Sequence, residues 1–174
     1  VFRKGGSQPG DVMVLSKPLG TGLVLAGGTS ADKVSAVAGM RELNRAASEE
    51  LRALGDAVHA VTDVTGYGLA GHGWEMADRG GVTMVVHTDG IVAYPGAREA
   101  AGRGVRTGGD RRNRDYVHGR MISTATPEGE ALSLDPQTSG GLLAAVHPAA
   151  VSLLSPMWWR VGEVQQGPAA LVLR

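Results

Sequence analysis

One stretch of the chain passes from an apolar strand through a glycine-rich loop into a helix, and it limits the fold more than any other. Residues 57–61 are short, apolar and β-branched, which predicts a buried strand. Residues 69–77 place apolar side chains at helical spacing, and Gly80-Gly81 predicts the end of that helix. Asp63 therefore lies where a strand gives way to a helix, a position at which folds that combine strands and helices hold ligand groups.

The loop around Asp63 has the chemistry of an anion site. Three glycines follow within nine residues, and glycine allows positive φ and close approach of another group. A carboxylate beside the free N–H groups of a helix start suits a phosphate that carries a metal ion. The alternative is that Asp63 or Thr65 only caps the helix.

A second polar loop, Asp135 to Gly141, lies between two apolar segments. It contains a carboxylate, an amide, two hydroxyls and two glycines, which predicts a polar lining held on a rigid frame. The alternative is a turn in which Asp135 and Ser139 bond their own backbone.

The remaining pattern predicts six strands and three helices in all. The strands lie near Asp11, Ala57, Val82, Leu142, Arg160 and Leu171, and the helices include a single long one from about Ala31 to Leu54, one from about Leu69 to Gly80 and a short one from Tyr94 to Gly102. Lys17, among glycines, is either a phosphate contact or a solvated side chain. The five histidines are scattered, which gives little support for a histidine metal site, and His72 is the one worth testing.

Composition excludes several classes of protein. Lys+Arg and Asp+Glu both number 17, so charge gives no reason to expect binding to nucleic acid or a membrane surface. The absence of cysteine excludes disulfides, thiolate metal sites and a cysteine nucleophile within these residues. No apolar run approaches the ~20 residues that span a bilayer. Because the chain does not begin with Met, we expect it to be a piece of a longer protein or a protein whose natural start was altered.

Both polar loops resemble signatures of the selenide, water dikinase (selenophosphate synthetase) family. Asp63 to His72, DVTGYGLAGH, resembles the family's DVTGFGLLGH, and Asp135 to Leu142, DPQTSGGL, resembles its second signature. Further short motifs follow in the family's order: Pro9-Gly10-Asp11, Lys17 to Gly22, Arg112-Asn113, Tyr116-Val117 and Gly162-Glu163-Val164. The resemblance runs from about Gly5 to the end of the chain.

The resemblance implies a fold and a domain plan. The fold is α+β: a mixed β-sheet with helices mainly on one face, ferredoxin-like, as in the C-terminal domains of the aminoimidazole ribonucleotide synthetase-like superfamily. Residues 1–10 are then a linker from an N-terminal ATP-binding domain that these residues do not include, and residues 11–174 are the C-terminal domain. Residues 147–160 are shorter than the family's usual stretch, so its helix there should be short or absent.

The resemblance also implies a reaction, ATP + selenide + water → selenophosphate + AMP + phosphate. It implies Mg²⁺ and ATP as cofactors, ATP and selenide as small-molecule substrates, a homodimer in the full-length protein, a cytoplasmic location, and no nucleic-acid or membrane partner. The family's Mg²⁺ ligand corresponds to Asp63, and the resemblance assigns no catalytic residue. Residues expected to line the same cleft are Thr62, Thr65, Gly66, Asn113, Asp135, Gln137, Thr138 and Ser139. The segment alone is expected to be inactive.

Two other functions stay open. One is a related superfamily phosphotransferase or synthetase that acts on a small metabolite, which the sequence preceding Val1 would distinguish. The other is a non-catalytic domain that only binds a ligand or dimerises.

Overall fold

A computed structural model describes all 174 residues, and its strands form one mixed sheet. The strands are β1 (Val12–Leu15), β2 (Val58–Asp63), β3 (Thr83–Val86), β4 (Met121–Ser123), β5 (Leu142–Val146), β6 (Trp159–Gln165) and β7 (Ala170–Leu173). Their order across the sheet is β2-β5-β1-β6-β3-β7-β4. The pairs from β2 to β3 are antiparallel, and β7 runs parallel to both β3 and β4. β2 is therefore an edge strand, and its last residue is Asp63.

Seven α-helices and three 3₁₀ turns complete the fold. The helices are α1 (Thr21–Gly27), α2 (Ser30–Arg41), α3 (Arg45–Ala53), α4 (Gly68–Gly80), α5 (Ala97–Gly102), α6 (Gly108–Val117) and α7 (Pro127–Leu134). The 3₁₀ turns are Gly55–Ala57, Thr88–Gly90 and Pro148–Leu153. None of the helices combines the length and apolar character that crossing a lipid bilayer requires.

Two apolar clusters cover the two faces of the sheet. The larger has 30 buried residues and takes side chains from every helix except α3. The smaller has 9 buried residues and takes Ala47 and Leu51 from α3 and Ala150 from the last 3₁₀ turn. Most helices therefore lie on one face, which confirms the α+β fold with a mixed sheet and helices mainly on one face.

The prediction of one helix from Ala31 to Leu54 is wrong. Residues 42–44 interrupt it, and Leu43, which the apolar stripe placed in the core, is 80% exposed. Ala36 of α2 packs in the larger cluster, whereas Ala47 and Leu51 of α3 pack in the smaller one. The apolar spacing runs on through the break, but the two helices cover opposite faces of the sheet.

The six predicted strands and the helix after Asp63 are present. The sequence analysis missed α1, α6, α7 and β4, which lie in segments rich in glycine or charge. Between residues 147 and 160 the only helical element is the 3₁₀ turn, in line with the expected shortening. Residues 1–10 lie against the domain, because Val61 N donates to Arg3 O at 2.8 Å and Lys4 pairs with Glu75. Their role as a linker stays a prediction.

Candidate functional site

Asp63 ends the edge strand β2 with its side chain exposed. It pairs with Leu142 of β5, and the next residue, Val64, donates its N–H to Gly141 O at 2.9 Å. Val64 is fully buried, while Asp63 and half-buried Thr65 flank it on the outside of the core. The strand alternation thus leaves a carboxylate and a hydroxyl two residues apart at the strand exit.

The turn from β2 into α4 is not closed by a side-chain cap. The residue before the helix is Tyr67, and no side chain bonds the first turn, so neither Asp63 nor Thr65 acts as the cap. Gly68 has φ 70°, and its N–H donates to Thr65 O at 2.9 Å. The N–H groups of Gly66 and Tyr67 have no hydrogen-bond partner. The helix start therefore offers free donors next to the carboxylate.

The second polar loop lies directly against the first. Gln137 N donates to Thr65 O at 3.0 Å, and a Cβ added to Gly140 would overlap the carbonyl oxygen of Val64. The structure thus brings together the two loops that the sequence analysis singled out, although they are some seventy residues apart in the chain.

Gln137 braces this arrangement from inside. Its side chain is buried, and its Oε1 accepts from the N–H groups of Gly20 and Thr21 at 3.1 and 3.2 Å. Its Nε2 donates to the backbone O of Asp135 at 2.8 Å. The amide therefore joins the start of α1 to the second loop, and its polar atoms are satisfied within the protein.

Asp135 is also turned inward. It is 1% exposed, and its Oδ2 accepts from Gly22 N at 2.9 Å and from Gln137 Nε2 at 3.0 Å. Burial raises the pKa of Asp135 to about 6, and the hydrogen bonds oppose that rise only in part. Because the Gly22 position leaves no room for a Cβ beside this carboxylate, the contact requires glycine.

Asn113 on α6 holds the first loop in place by hydrogen bonds to two backbone carbonyls. It is fully buried, and its Nδ2 donates to Gly66 O at 3.0 Å and to Leu134 O at 2.8 Å. Arg112 adds a second donor to Gly66 O at 3.1 Å. These bonds hold the carbonyl of Gly66 inward and leave its N–H free.

The remaining predicted residues divide between the surface and the interior. Thr138 and Ser139 are exposed in the second loop, and Ser139 has φ 50°. Thr62 is buried, and its hydroxyl donates to Asp63 O at 3.3 Å. The open part of the site is thus Asp63, Thr65, Gly66, Thr138 and Ser139.

Lys17 is not solvated, so that expectation is wrong, and its ammonium group bonds backbone carbonyls. The side chain is buried, and its Nζ donates to Glu42 O at 2.6 Å, Ser139 O at 2.9 Å and Gly39 O at 3.2 Å. Burial lowers the pKa of Lys17, and Glu42 partly offsets that. The ammonium group satisfies carbonyls at the end of α2 and fixes the second loop to it.

His72, the histidine that the sequence analysis named as worth testing, contacts Thr65, and it is linked in turn to Glu75 and Lys4. His72 Nε2 is 3.1 Å from Thr65 Oγ1, and His72 Nδ1 is 3.1 Å from Glu75 Oε2. Glu75 also accepts from Lys4 Nζ at 2.7 Å. The separation of His72 and Glu75 by three residues on one helix was visible in the sequence, but the link to Thr65 was not.

The chain by itself holds no complete metal centre. No three His, Cys, Asp or Glu side chains are grouped closely enough to hold an ion. Exposed Asp63 nevertheless fits a shared Mg²⁺ site, because this ion takes one or two carboxylates and completes its shell with phosphate oxygens and water. The group that fits here is therefore a Mg²⁺ ion that arrives with a phosphate.

Comparison with known proteins gives one family and a consistent fold. The family model described as "AIR synthase related protein, C-terminal domain" matches residues 8–173. The chain is 43% identical over 152 residues to "Selenide, water dikinase" of Caldanaerobacter subterraneus subsp. tengcongensis, a match that covers 84% of the chain and 44% of that protein.

Solved structures share the fold at low sequence identity. A thiamine-monophosphate kinase from Stenotrophomonas maltophilia K279a has a TM-score of 0.69 and 19% identity, covering 98% of the chain and 52% of that protein. The hydrogenase maturation protein HypE, in a complex with ATP, has a TM-score of 0.63 and 17% identity, covering 98% and 49%. The chain spans about half the length of the proteins that it matches.

Proposed function

This chain belongs to the family of AIR synthase related proteins, as their C-terminal domain, and we propose that it is the C-terminal half of a selenide, water dikinase. In this proposal it contributes to the conversion of ATP, selenide and water into selenophosphate, AMP and phosphate. The observation that carries the proposal is the exposed carboxylate of Asp63, held at the exit of β2 against the second polar loop. The 43% identity to a protein of that name supports it.

Asp63 supplies one carboxylate ligand to the Mg²⁺ that accompanies ATP. When bound, such an ion neutralises charge on the transferring phosphoryl group. The free N–H groups of Gly66 and Tyr67 can receive phosphate oxygens at the helix start. Exposed Thr138 and Ser139 belong to the second loop, and in this proposal they line the same cleft. Asn113, Asp135 and Gln137 hold the two loops in place through their hydrogen bonds.

Most nucleotide contacts, in this proposal, come from an N-terminal ATP-binding domain to which residues 1–10 connect. Asp63 is exposed, so its carboxylate lies on an open surface. An exposed carboxylate on an open surface suits one wall of a nucleotide cleft whose other wall is the N-terminal domain. The full-length protein would work as a homodimer in the cytoplasm.

The test is a chimera that joins the N-terminal half of the Caldanaerobacter relative to this chain. We expect ³¹P NMR to show selenophosphate and AMP formed from ATP only when selenide is present, with the intact relative as the positive control. A chimera that is folded by circular dichroism and binds ATP, yet forms no AMP in response to selenide, would contradict the proposal. Phosphorylation of a small metabolite would favour the phosphotransferase alternative, and ligand binding without turnover would favour a non-catalytic domain.

A further inference from the structure

A line of polar side chains runs from Thr65 through the buried imidazole of His72 to the partly exposed pair of Glu75 and Lys4. It consists of Thr65 Oγ1, both nitrogens of His72, the carboxylate of Glu75 and Lys4 Nζ, joined by contacts of 3.1, 3.1 and 2.7 Å. The side chain of His72 is 6% exposed, so water does not compete for its two nitrogens. Buried imidazoles with a carboxylate on one nitrogen and a hydroxyl on the other are the arrangement that activates hydroxyl groups in enzymes.

The charge on Glu75 fixes the direction of these hydrogen bonds. Burial acts to raise the pKa of Glu75, but the hydrogen bonds from Lys4 and His72 outweigh it and hold the pKa below its ordinary value. An ionised carboxylate only accepts, so His72 Nδ1 must carry a proton and donate it. When the imidazole carries only this proton, Nε2 has a lone pair, and the Thr65 hydroxyl donates to it.

Further groups near Glu75 are consistent with this direction. Tyr116 of α6 lies close enough that burial and the charge of Glu75 together raise the pKa of its phenol. Tyr116 therefore stays a neutral donor at neutral pH. The carboxylate of Glu75 accepts hydrogen bonds from Lys4 and His72, and no second carboxylate contacts His72.

The consequence is at the oxygen of Thr65. With its proton committed to His72, the oxygen of half-buried Thr65 keeps its lone pairs for another donor. Thr65 lies two residues after Asp63 and directly before Gly66 and Tyr67, whose N–H groups are free. A phosphoryl group bound by the Asp63 ion and these N–H groups would lie beside an oxygen able to accept a proton. This is the geometry needed to activate a water molecule that attacks phosphorus.

We propose that Thr65 is a catalytic hydroxyl that relays a proton from an attacking water molecule to His72, with Glu75 as the positioning residue. The step rests on the proposed function, which includes water as a substrate. The water oxygen forms a bond to phosphorus, and the bond from phosphorus to the nucleoside phosphate oxygen breaks and leaves its electron pair on that oxygen. The water proton passes to Thr65 Oγ1 as the Thr65 proton passes to His72 Nε2, and Glu75 stabilises the resulting imidazolium.

The first test uses the 174-residue chain and does not depend on activity. Long-range ¹H–¹⁵N NMR spectra at neutral pH should show His72 with a protonated Nδ1 and an unprotonated Nε2. Thr65→Val should move the Nε2 resonance of His72 and leave that of His147 in place, and Glu75→Gln should abolish the tautomer preference. A proton on Nε2 in the wild-type chain would overturn the proposal, because Thr65 would then be the acceptor.

The second test uses the chimera. Thr65→Val should lower kcat by about 100-fold or more, the usual size of a general-base contribution, without changing KM for ATP. Thr65→Ser, which keeps the hydroxyl, should restore kcat to within about tenfold of the wild type. Thr83→Val is the matched control, since Thr83 begins β3 and its hydroxyl donates to Pro168 O.

Two outcomes separate this proposal from the function on which it rests. An active chimera whose kcat is unchanged by Thr65→Val, with the fold intact, would overturn the relay and leave the selenium reaction standing. A wild-type chimera without turnover would overturn the proposed function, and the NMR spectra would still decide which way the Thr65 hydrogen bond runs.

Discussion

Asp63 and Asp135 both begin glycine-rich polar loops, and the fold uses them in opposite ways. Asp63 is exposed at a strand exit, where a cation and its phosphate can reach it. Asp135 is 1% exposed and bonds the backbone at the start of α1. The sequence could identify both loops as candidates, because many hydrogen-bonding groups and glycines between two apolar segments predict a polar lining on a rigid frame. It could not tell that Asp63 would be exposed and Asp135 buried, since the backbone N–H groups that Asp135 and Gln137 bind at the start of α1 lie more than a hundred residues away.

The raised pKa of Asp135 should appear in the pH dependence of stability. Its folded pKa of about 6 lies above the ordinary value of 3.8, so the folded protein binds the proton more tightly than the unfolded chain. The contribution of this group to the free energy of unfolding is therefore complete below about pH 4 and is lost as the pH rises to 6. The loss is roughly 3 kcal/mol at most.

Urea unfolding of the wild type and Asp135→Asn at pH 4 and pH 7 measures this effect. We expect the variant to gain stability relative to the wild type on going from pH 4 to pH 7. Exposed Asp56→Asn is the matched control. If the stability difference between wild type and Asp135→Asn is the same at both pH values, burial does not raise the pKa of Asp135.

Helix α4 connects the site to the core, and both of its ends depend on glycine. Gly68 has φ 70° at its start, and a Cβ there would lie 2.8 Å from Ser133 O. Gly81 has φ 65° after its end, and a Cβ there would meet nothing within 4 Å. The sequence predicted this helix and its glycine end correctly, but the close packing of its start on α7 depends on tertiary contacts.

Gly68→Ala and Gly81→Ala together separate backbone strain from packing. Each should cost about 1–2 kcal/mol of unfolding free energy for the left-handed backbone. Gly68→Ala should cost more than Gly81→Ala, because the added methyl group also displaces α7 from the site. Thermal or urea unfolding of both variants gives the comparison, and equal losses would mean that the approach of α4 to α7 is not tight.

The break between α2 and α3 shows why apolar spacing misled the sequence analysis. Met40, Ala47 and Leu51 keep helical spacing, but the first packs on one face of the sheet and the other two on the opposite face. Lys17 stabilises the break by bonding the carbonyls of Gly39 and Glu42, which a continuous helix would use itself. The spacing of apolar residues indicates which side chains are buried, but it does not indicate which face of the sheet they pack against.

Across the whole molecule, the strands could be predicted but their order could not. β1 pairs with β5 and β6, both more than a hundred residues further along the chain, and no local pattern specifies such partners. That order puts β2 at the edge of the sheet and Asp63 at an open side. An open side with one carboxylate predicts a domain that contributes to a nucleotide site without containing it.

Calorimetry of the 174-residue chain with Mg·ATP tests this division between domains. We expect no binding tighter than about 1 mM, because the chain supplies one metal ligand and a few N–H donors. The chimera, titrated in the same buffer, is the control that should bind. Micromolar binding by the chain alone would mean that the main nucleotide contacts lie within it.

The role of Asp63 is tested most directly by the Mg²⁺ dependence of ATP turnover in the chimera. Asp63→Asn removes the carboxylate at the exit of β2, and Asp56→Asn removes an exposed carboxylate just before the same strand as the control. We predict that Asp63→Asn lowers turnover on the order of 100-fold or more at every Mg²⁺ concentration, since a ligand of the transferring phosphate's ion is lost. Asp56→Asn should follow the wild-type curve. An Asp63→Asn chimera that matches the wild type across the Mg²⁺ titration would contradict the account.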